Sequence, residues 1–347
     1  MPSQILHTLF GEDVITAIYQ SLAPRFGPVA DRALEKIRGS CRNAFALGCQ
    51  GPDIFYHSQG RRPVGLEYGT LLHRRGAGAF TAELLKMGLP GPEEGLRRER
   101  EINALGAYAL GFMTHAILDR AAHPYIIYKS RYHVFFERII DVLMLRELRE
   151  KEAASWDQEA ILARICEEPP VGLKELLARA LILAFPERAG RDGKLMARID
   201  NTFADCARFY RLTSPRRTSL GGGVVERRVL ELLYPEKLEE DIDFLNLKKE
   251  PWYYPAGNSG ENYRSFPELY AGAVARAASV ITPVIAGYLE TGIFPIGEAA
   301  RAIGNGGLSI QDDEGRPCAP TRSAPLPLDR TLRRQEELRG AFPKGAL

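Results

Sequence analysis

Five side chains between residues 115 and 137 have types and spacings that could do chemistry. His115, Asp119 and His123 stand four residues apart, and so do His133 and Glu137. On an α-helix, residues four apart lie one above the other on a single face. Two helical pieces meeting near Pro124 would aim three imidazoles and two carboxylates at one place. Imidazole nitrogen with carboxylate oxygen is a ligand set that suits Zn²⁺. One histidine alone is more often a packed or solvated residue than a ligand. Here all six (His7, His57, His73, His115, His123, His133) fall in the first 133 residues, and the rest of the chain has none. Two other helical metal sites are excluded. The di-iron carboxylate bundle needs Glu-x-x-His pairs, and a phosphohydrolase marked by adjacent His-Asp needs that dipeptide; neither occurs.

The elements that must position these residues read as helices, since 3.6-residue periodicity dominates and alternating strand-like runs are scarce. Helices are predicted over 12–22, 29–40, 69–87, 93–122 and 125–153. Further ones follow over 156–168, 173–185, 193–212, 224–233 and 266–289, the last with Pro283 as a kink. Residues 44–55 are Gly-rich and read as turn-like, with Gly51-Pro52-Asp53 as punctuation. Pro90-Gly91-Pro92 and Gly221-Gly222-Gly223 mark a break and a hinge. From Gly304 onward Gly, Pro and Arg accumulate. The expected organisation is therefore one all-α domain over residues 1–303 and a low-order tail over 304–347, with at most one short polar helix after about residue 316.

The composition, 45% hydrophobic and 26% charged, is that of an ordinary globular chain. A net charge of +2 gives no global signal for nucleic acid or an acidic membrane surface. Five cysteines without a C-x-x-C pair argue against a disulfide framework and for a reducing compartment. The first residues lack a basic start followed by an apolar run, so a cytoplasmic location is expected. The apolar segment 277–289, broken by Pro283, is too short to span a bilayer, and no integral membrane segment is expected.

Five pieces stand in order along the chain: H-T-L-F-G-E-D at 7–13, A-L-G-C-Q-G-P-D at 46–53, L-L-H at 71–73, G-F-M-T-H-A-I-L-D-R-A-A-H-P-Y-I at 111–126 and H-V-F-F-E at 133–137. Together, with a weaker echo in S-F-P-E-L-Y-A-G-A-V at 265–274, they make the chain resemble the zinc-dependent phospholipase C family, which shares its fold with the S1/P1-type nucleases. The resemblance implies a multi-helix domain holding two or three zinc ions. By it, His73, His115 and Asp119 hold one ion, with Asp53 as a further ligand or as the catalytic base. His123, His133 and Glu137 hold a second. His7, with Asp119 as bridge, holds a third together with the amino terminus. His57 reads as a residue supporting the site or lying on the surface, and Arg120 as a surface or ion-paired side chain.

The implied activity is hydrolysis of a phospholipid to diacylglycerol and a phosphorylated head group, with peripheral membrane contact. Where choline-preferring members carry aromatics, this chain has Ile54 and Thr70, so no cation–π cage is visible at those places. Two alternatives keep the metal. One is a nuclease or nucleotide phosphodiesterase, for which Arg74, Arg75 and Arg131 would be candidate contacts. The other is a non-enzymatic helical protein whose zinc is structural and fully coordinated.

Overall fold

The computed structural model describes residues 4–89, 102–149, 158–165, 168–213, 230–257 and 259–340. Helices α1 (Gln4–Phe26), α2 (Pro28–Arg38) and α3 (Arg42–Cys49) are followed by a 3₁₀ segment, Gly51–His57. Then come α4 (Leu66–Arg74), α5 (Ala77–Gly88), α6 (Ala104–Lys129), α7 (His133–Arg149) and α8 (Gln158–Ile165). The later part holds α9 (Leu173–Ala184), α10 (Leu195–Leu212), α11 (Phe266–Thr291), α12 (Ile296–Ile303) and α13 (Leu328–Gly340). Between α10 and α11, Trp252–Tyr253 (β1) and Glu261–Asn262 (β2) pair antiparallel, with Trp252 opposite Asn262. The architecture is all-α.

Helix α6 is the axis. It is buried on nearly every side, from Gly106 to Lys129, and α1, α3, α5 and α11 all pack on it. A helix apolar all round belongs in a core. Asn103 caps its start, accepting from Gly106 N at 2.8 Å. Helices α3 and α6 approach backbone to backbone: a Cβ on Gly48 would stand 2.1 Å from Tyr108 O, and one on Gly111 would stand 2.4 Å from Phe45 O. This contact brings the loop that carries Asp53 against the helix that carries His115.

The predicted bend at Pro124 does not occur. Helix α6 runs through it, and the chain turns instead at residues 130–132, where Tyr132 N donates to Ser130 Oγ at 2.9 Å. Packing on all sides of α6 outweighs the roughly 3 kcal/mol by which an interior proline disfavours a helix. His123 therefore shares one helix with His115 and Asp119, and His133 and Glu137 arrive on the next.

Other boundaries move for local reasons. The predicted helix 69–87 is interrupted at Gly76, which is left-handed (φ 75°) and so tight against Phe185 that a Cβ would meet that ring at 2.6 Å. The turn-like reading of 44–55 is overturned, since it forms most of α3 and the 3₁₀ segment. Helix α11 begins with a capping box: Ser265 N donates to Glu268 Oε2 at 2.9 Å, with Pro267 in the first turn. Its 26 residues are long and apolar enough to cross a bilayer by length and composition, which corrects the shorter reading of that segment; 50% of its most apolar window is buried in the domain. The predicted elements at 90–92, 221–223 and most of 93–103 and 224–233 lie outside the described residues.

The largest correction concerns residues 304–340. They do not form a low-order tail. Leu308, Ile310, Leu328 and Leu332 are buried, Ala324 N and Leu326 N donate to Tyr128 O and Lys129 O, and α13 packs beside the 230–242 segment. Composition alone hides this, because four buried aliphatic residues suffice to anchor a polar stretch.

Candidate metal centre

Five elements bring the candidate ligands together. α6 supplies His115, Asp119 and His123 from one face; α7 supplies His133 and Glu137; the 3₁₀ segment and α4 supply Asp53 and His73. His7 comes from the first turn of α1. The donor atoms form three groups: Asp53, His73 and His115; His7, His115 and Asp119; His123, His133 and Glu137.

Asp119 is the hub. Its Oδ1 lies 3.3 Å from His7 Nε2, and its Oδ2 lies 3.2 Å from His115 Nε2, 3.5 Å from His123 Nδ1 and 3.6 Å from His73 Nε2. His73 Nε2 is also 3.0 Å from Asp53 Oδ1. Glu137 Oε1 lies 3.0 Å from His133 Nε2 and 3.4 Å from His123 Nε2. These separations match the edge of a tetrahedron with 2.0–2.1 Å metal bonds, about 3.3 Å. His7 Nδ1, His73 Nε2, His115 Nε2, Asp119 Oδ2 and Glu137 Oε2 are buried without a hydrogen bond, which is costly unless an ion takes them up. The donor set and its spacing fit zinc.

The imidazoles are oriented from behind. His73 Nδ1 donates to Gly69 O (2.8 Å), His115 Nδ1 to Cys49 O (3.1 Å) and His123 Nδ1 to Leu308 O (3.3 Å). Each bond leaves Nε2 with its lone pair toward the centre, the usual support of a ligating histidine. Gly51 is left-handed (φ 54°), and a Cβ there would reach 2.3 Å from the His115 ring; only glycine lets the Asp53 segment lie this close. The centre opens at His133, whose side chain is 33% exposed while Glu137 beside it is at 2%.

The charges reinforce one another. Burial alone would push the carboxyls up, but His133 and His123 hold Glu137 down at about 2, and His115 with His123 holds Asp119 well below its ordinary value. His115 and His73 likewise hold Asp53 low against its burial. Burial opposes protonation of His73, yet Asp119 and Asp53 raise it to about 9. His7 is shifted the other way, down, by burial and by neighbouring His115.

His57 stays outside the three groups. It is buried, stacked on Phe209 with centroids 4.1 Å apart, and burial holds it neutral down to about 3. Ile54 is buried and Thr70 bonds back to Leu66 O, so neither offers an aromatic face. Tyr56 does stand at the site, its ring 4.8 Å from that of His73, and burial followed by Asp53 pushes its phenol up to about 12.

Three contributors are not visible as motifs. Arg120 is not a surface side chain: it donates to the carbonyls of Ile303, Gly304 (3.3 Å), Gly306 (3.0 Å) and Gly307 (3.1 Å). It thereby clamps to α6 the segment whose Leu308 N donates to His73 O and whose Leu308 O holds His123. Asp141 is fully buried and accepts from Leu6 N (2.8 Å), Ile5 N (3.2 Å) and Tyr234 OH (3.1 Å), fixing the first turn of α1 that delivers His7. The spacing of four from His133 to Glu137 continues to Asp141 and is a signal that could have found it. Arg138, fully buried, adds bonds to Gln4 Oε1 (2.5 Å) and Tyr234 OH (2.7 Å).

Residues 15–171 match the zinc-dependent phospholipase C family. The match spans Asp53, His73, His115, Asp119, His123, His133 and Glu137; His7 and the bracing segment 303–308 lie beyond it. No curated protein and no solved structure matches the chain. The match to a zinc-dependent phospholipase C family supports a hydrolase of the phosphodiesterase type, and the buried donor groups could hold a metal ion.

Proposed function

We propose that the protein is a phospholipase C that cleaves the glycerol–phosphate bond of a phospholipid, releasing diacylglycerol and a phosphorylated head group. The observation that carries this reading is the set of three adjacent donor groups, each of three protein ligands, joined through His115 and Asp119. Structural zinc is closed by four protein ligands, whereas a catalytic ion keeps a position open.

His73, His115 and Asp119 would hold one ion, with Asp53 beside it as the base. His123, His133 and Glu137 would hold a second, and His7 with Asp119 a third. Bound zinc lowers the pKa of water towards about 7 and polarises phosphoryl oxygen. Asp53, kept ionised by the imidazoles around it, accepts the proton of the attacking water. Asp119 holds the imidazoles of neighbouring groups in one register. The exposed edge at His133 is where the phosphodiester enters.

The test combines metal analysis of the purified protein with assays on phospholipid vesicles, a chromogenic phosphodiester and single-stranded DNA. Zinc together with diacylglycerol as the lipid product is expected. Release of phosphatidate or fatty acid, or cleavage of DNA without cleavage of lipid, would overturn the phospholipase assignment.

A further inference from the structure

The face of α6 opposite the metal ligands borders a cavity of about 470 Å³, a volume in the range of small-molecule sites. At 100° per residue, Ile117, Ala121 and Pro124 lie across the helix from His115, Asp119 and His123. These three form its apolar floor; Trp252 and Tyr254 of the hairpin segment and α11 form its walls. Three arginines line it, Arg120, Arg264 and Arg276, and no carboxylate is among the described residues that line it.

The positive side chains are arranged rather than scattered. Arg264 is steered by Asn262, whose Oδ1 accepts from Arg264 N at 3.0 Å and Nε at 3.3 Å. Trp252 Nε1 donates to Arg264 O at 3.0 Å, which ties the indole to the same residue. Tyr254 OH accepts from Gln311 N at 2.9 Å and keeps its own proton to donate. Arg276 has no carboxylate partner among the described residues. At Gly272, on the α11 wall, a Cβ would meet nothing within 4 Å, so the wall is open there.

We propose that this cavity is a second, non-catalytic binding site for a phosphate monoester carrying an apolar or aromatic group. Arg264 and Arg276 match the paired oxygens of a phosphate, and the phenol adds a neutral donor. The apolar group lies on the Ile117–Pro124 floor beside Trp252. None of the metal donors lines the cavity, and the two arginines that would grip the phosphate come from the segment after β2 and from α11; Arg120, which also braces segment 303–307, is left unchanged in the test.

The test uses the zinc-loaded protein in a Trp156→Phe background, which leaves Trp252 as the only indole. Titration with phenyl phosphate should change Trp252 fluorescence saturably and with higher affinity than inorganic phosphate; phenol should have little effect. Arg264→Gln/Arg276→Gln should weaken phenyl phosphate binding at least tenfold while zinc content and phosphodiester turnover stay within twofold of the parent. Arg264→Lys/Arg276→Lys should recover part of the affinity. Retention on phosphatidate-containing phosphatidylcholine vesicles that also needs the two arginines would assign the ester to a lipid; signal from the soluble ester alone would assign it to a small molecule. Absence of a saturable signal, or equal affinity in the Gln double variant, overturns the proposal.

Discussion

The stretch from His7 to Glu137 and the stretch from Ile303 to Leu308 serve the same centre by different means. The first contributes side chains: five imidazoles and three carboxylates within reach of three donor groups. The second contributes main-chain oxygen, four carbonyls to Arg120 and one to His123. A ligand must be a particular residue, so its spacing leaves a mark. A carbonyl can come from any residue, and what it needs is a backbone in the right place. Gly304 takes a positive φ (70°) that favours glycine, and a Cβ on Gly306 or Gly307 would crowd Gln311 or Pro317 at 3.1 Å. Residues that hold a ligand can therefore be as necessary as the ligand while looking like filler.

Five experiments would break or sharpen this contrast. The largest effect is expected at the hub. Asp119→Ala should remove most of the zinc and leave activity below about 1%, since ligand loss couples metal binding to folding; elemental analysis and turnover on one sample decide it. Full metal content would sink Asp119 as a shared ligand.

Next, two carboxylates should separate. Asp53→Asn should keep most of the metal and lose about 10²-fold or more in turnover, the scale of a positioned base. Glu137→Gln should lose roughly one metal equivalent along with activity, because two imidazoles hold zinc poorly. If Asp53→Asn loses metal in step with activity, Asp53 acts as a ligand and the base is another group.

The brace is tested from its own side. Arg120→Ala should weaken zinc retention against a chelator about 10–100-fold, the usual cost of losing an outer-shell partner. Arg120→Lys should recover little, because an ammonium cannot fork across several carbonyls. Ending the chain after Arg316 removes buried Leu328 and Leu332 and should cost about 3–6 kcal/mol in unfolding free energy; an unchanged melting temperature would return this region to the status of a tail.

The smallest effect concerns His57. Its folded pKa is about 3 and its unfolded value is near 6.5. Below pH 6.5 the unfolded chain takes up a proton that the folded one refuses, so stability is lost as pH falls from 6.5 towards 3. His57→Phe, which preserves a ring against Phe209, should lose about 1–2 kcal/mol less stability between pH 7 and pH 5. Denaturant melts at both pH values, with and without chelator, separate this from acid release of zinc.

How much was legible follows the same division. Five donors, His115, Asp119, His123, His133 and Glu137, follow from four-residue spacing and the all-α class from helical periodicity, whereas His7, Asp53 and His73 follow only from the family resemblance; the family match covers seven of the eight donors. The Pro124 bend was misplaced because burial around α6 is a tertiary effect that local rules do not contain. Arg120 looked superficial because its carbonyl partners are 183 to 187 residues away. Segment 304–340 looked disordered because its few buried residues, Leu308 and Leu332 among them, are diluted by Pro and Arg.

The bond from His123 to Leu308 spans 185 residues, and this separation has a consequence in time. A ribosome finishes every ligand by Glu137, then at about 5–20 residues per second needs roughly 10–35 s more to reach Leu308. During that interval the nascent chain exposes a histidine- and carboxylate-rich segment whose His123 ring has no carbonyl to orient it. Zinc captured then would meet an unfinished coordination sphere, whereas zinc arriving after release meets imidazoles already turned inward. The far end of the polypeptide in this sense completes the orientation of His123.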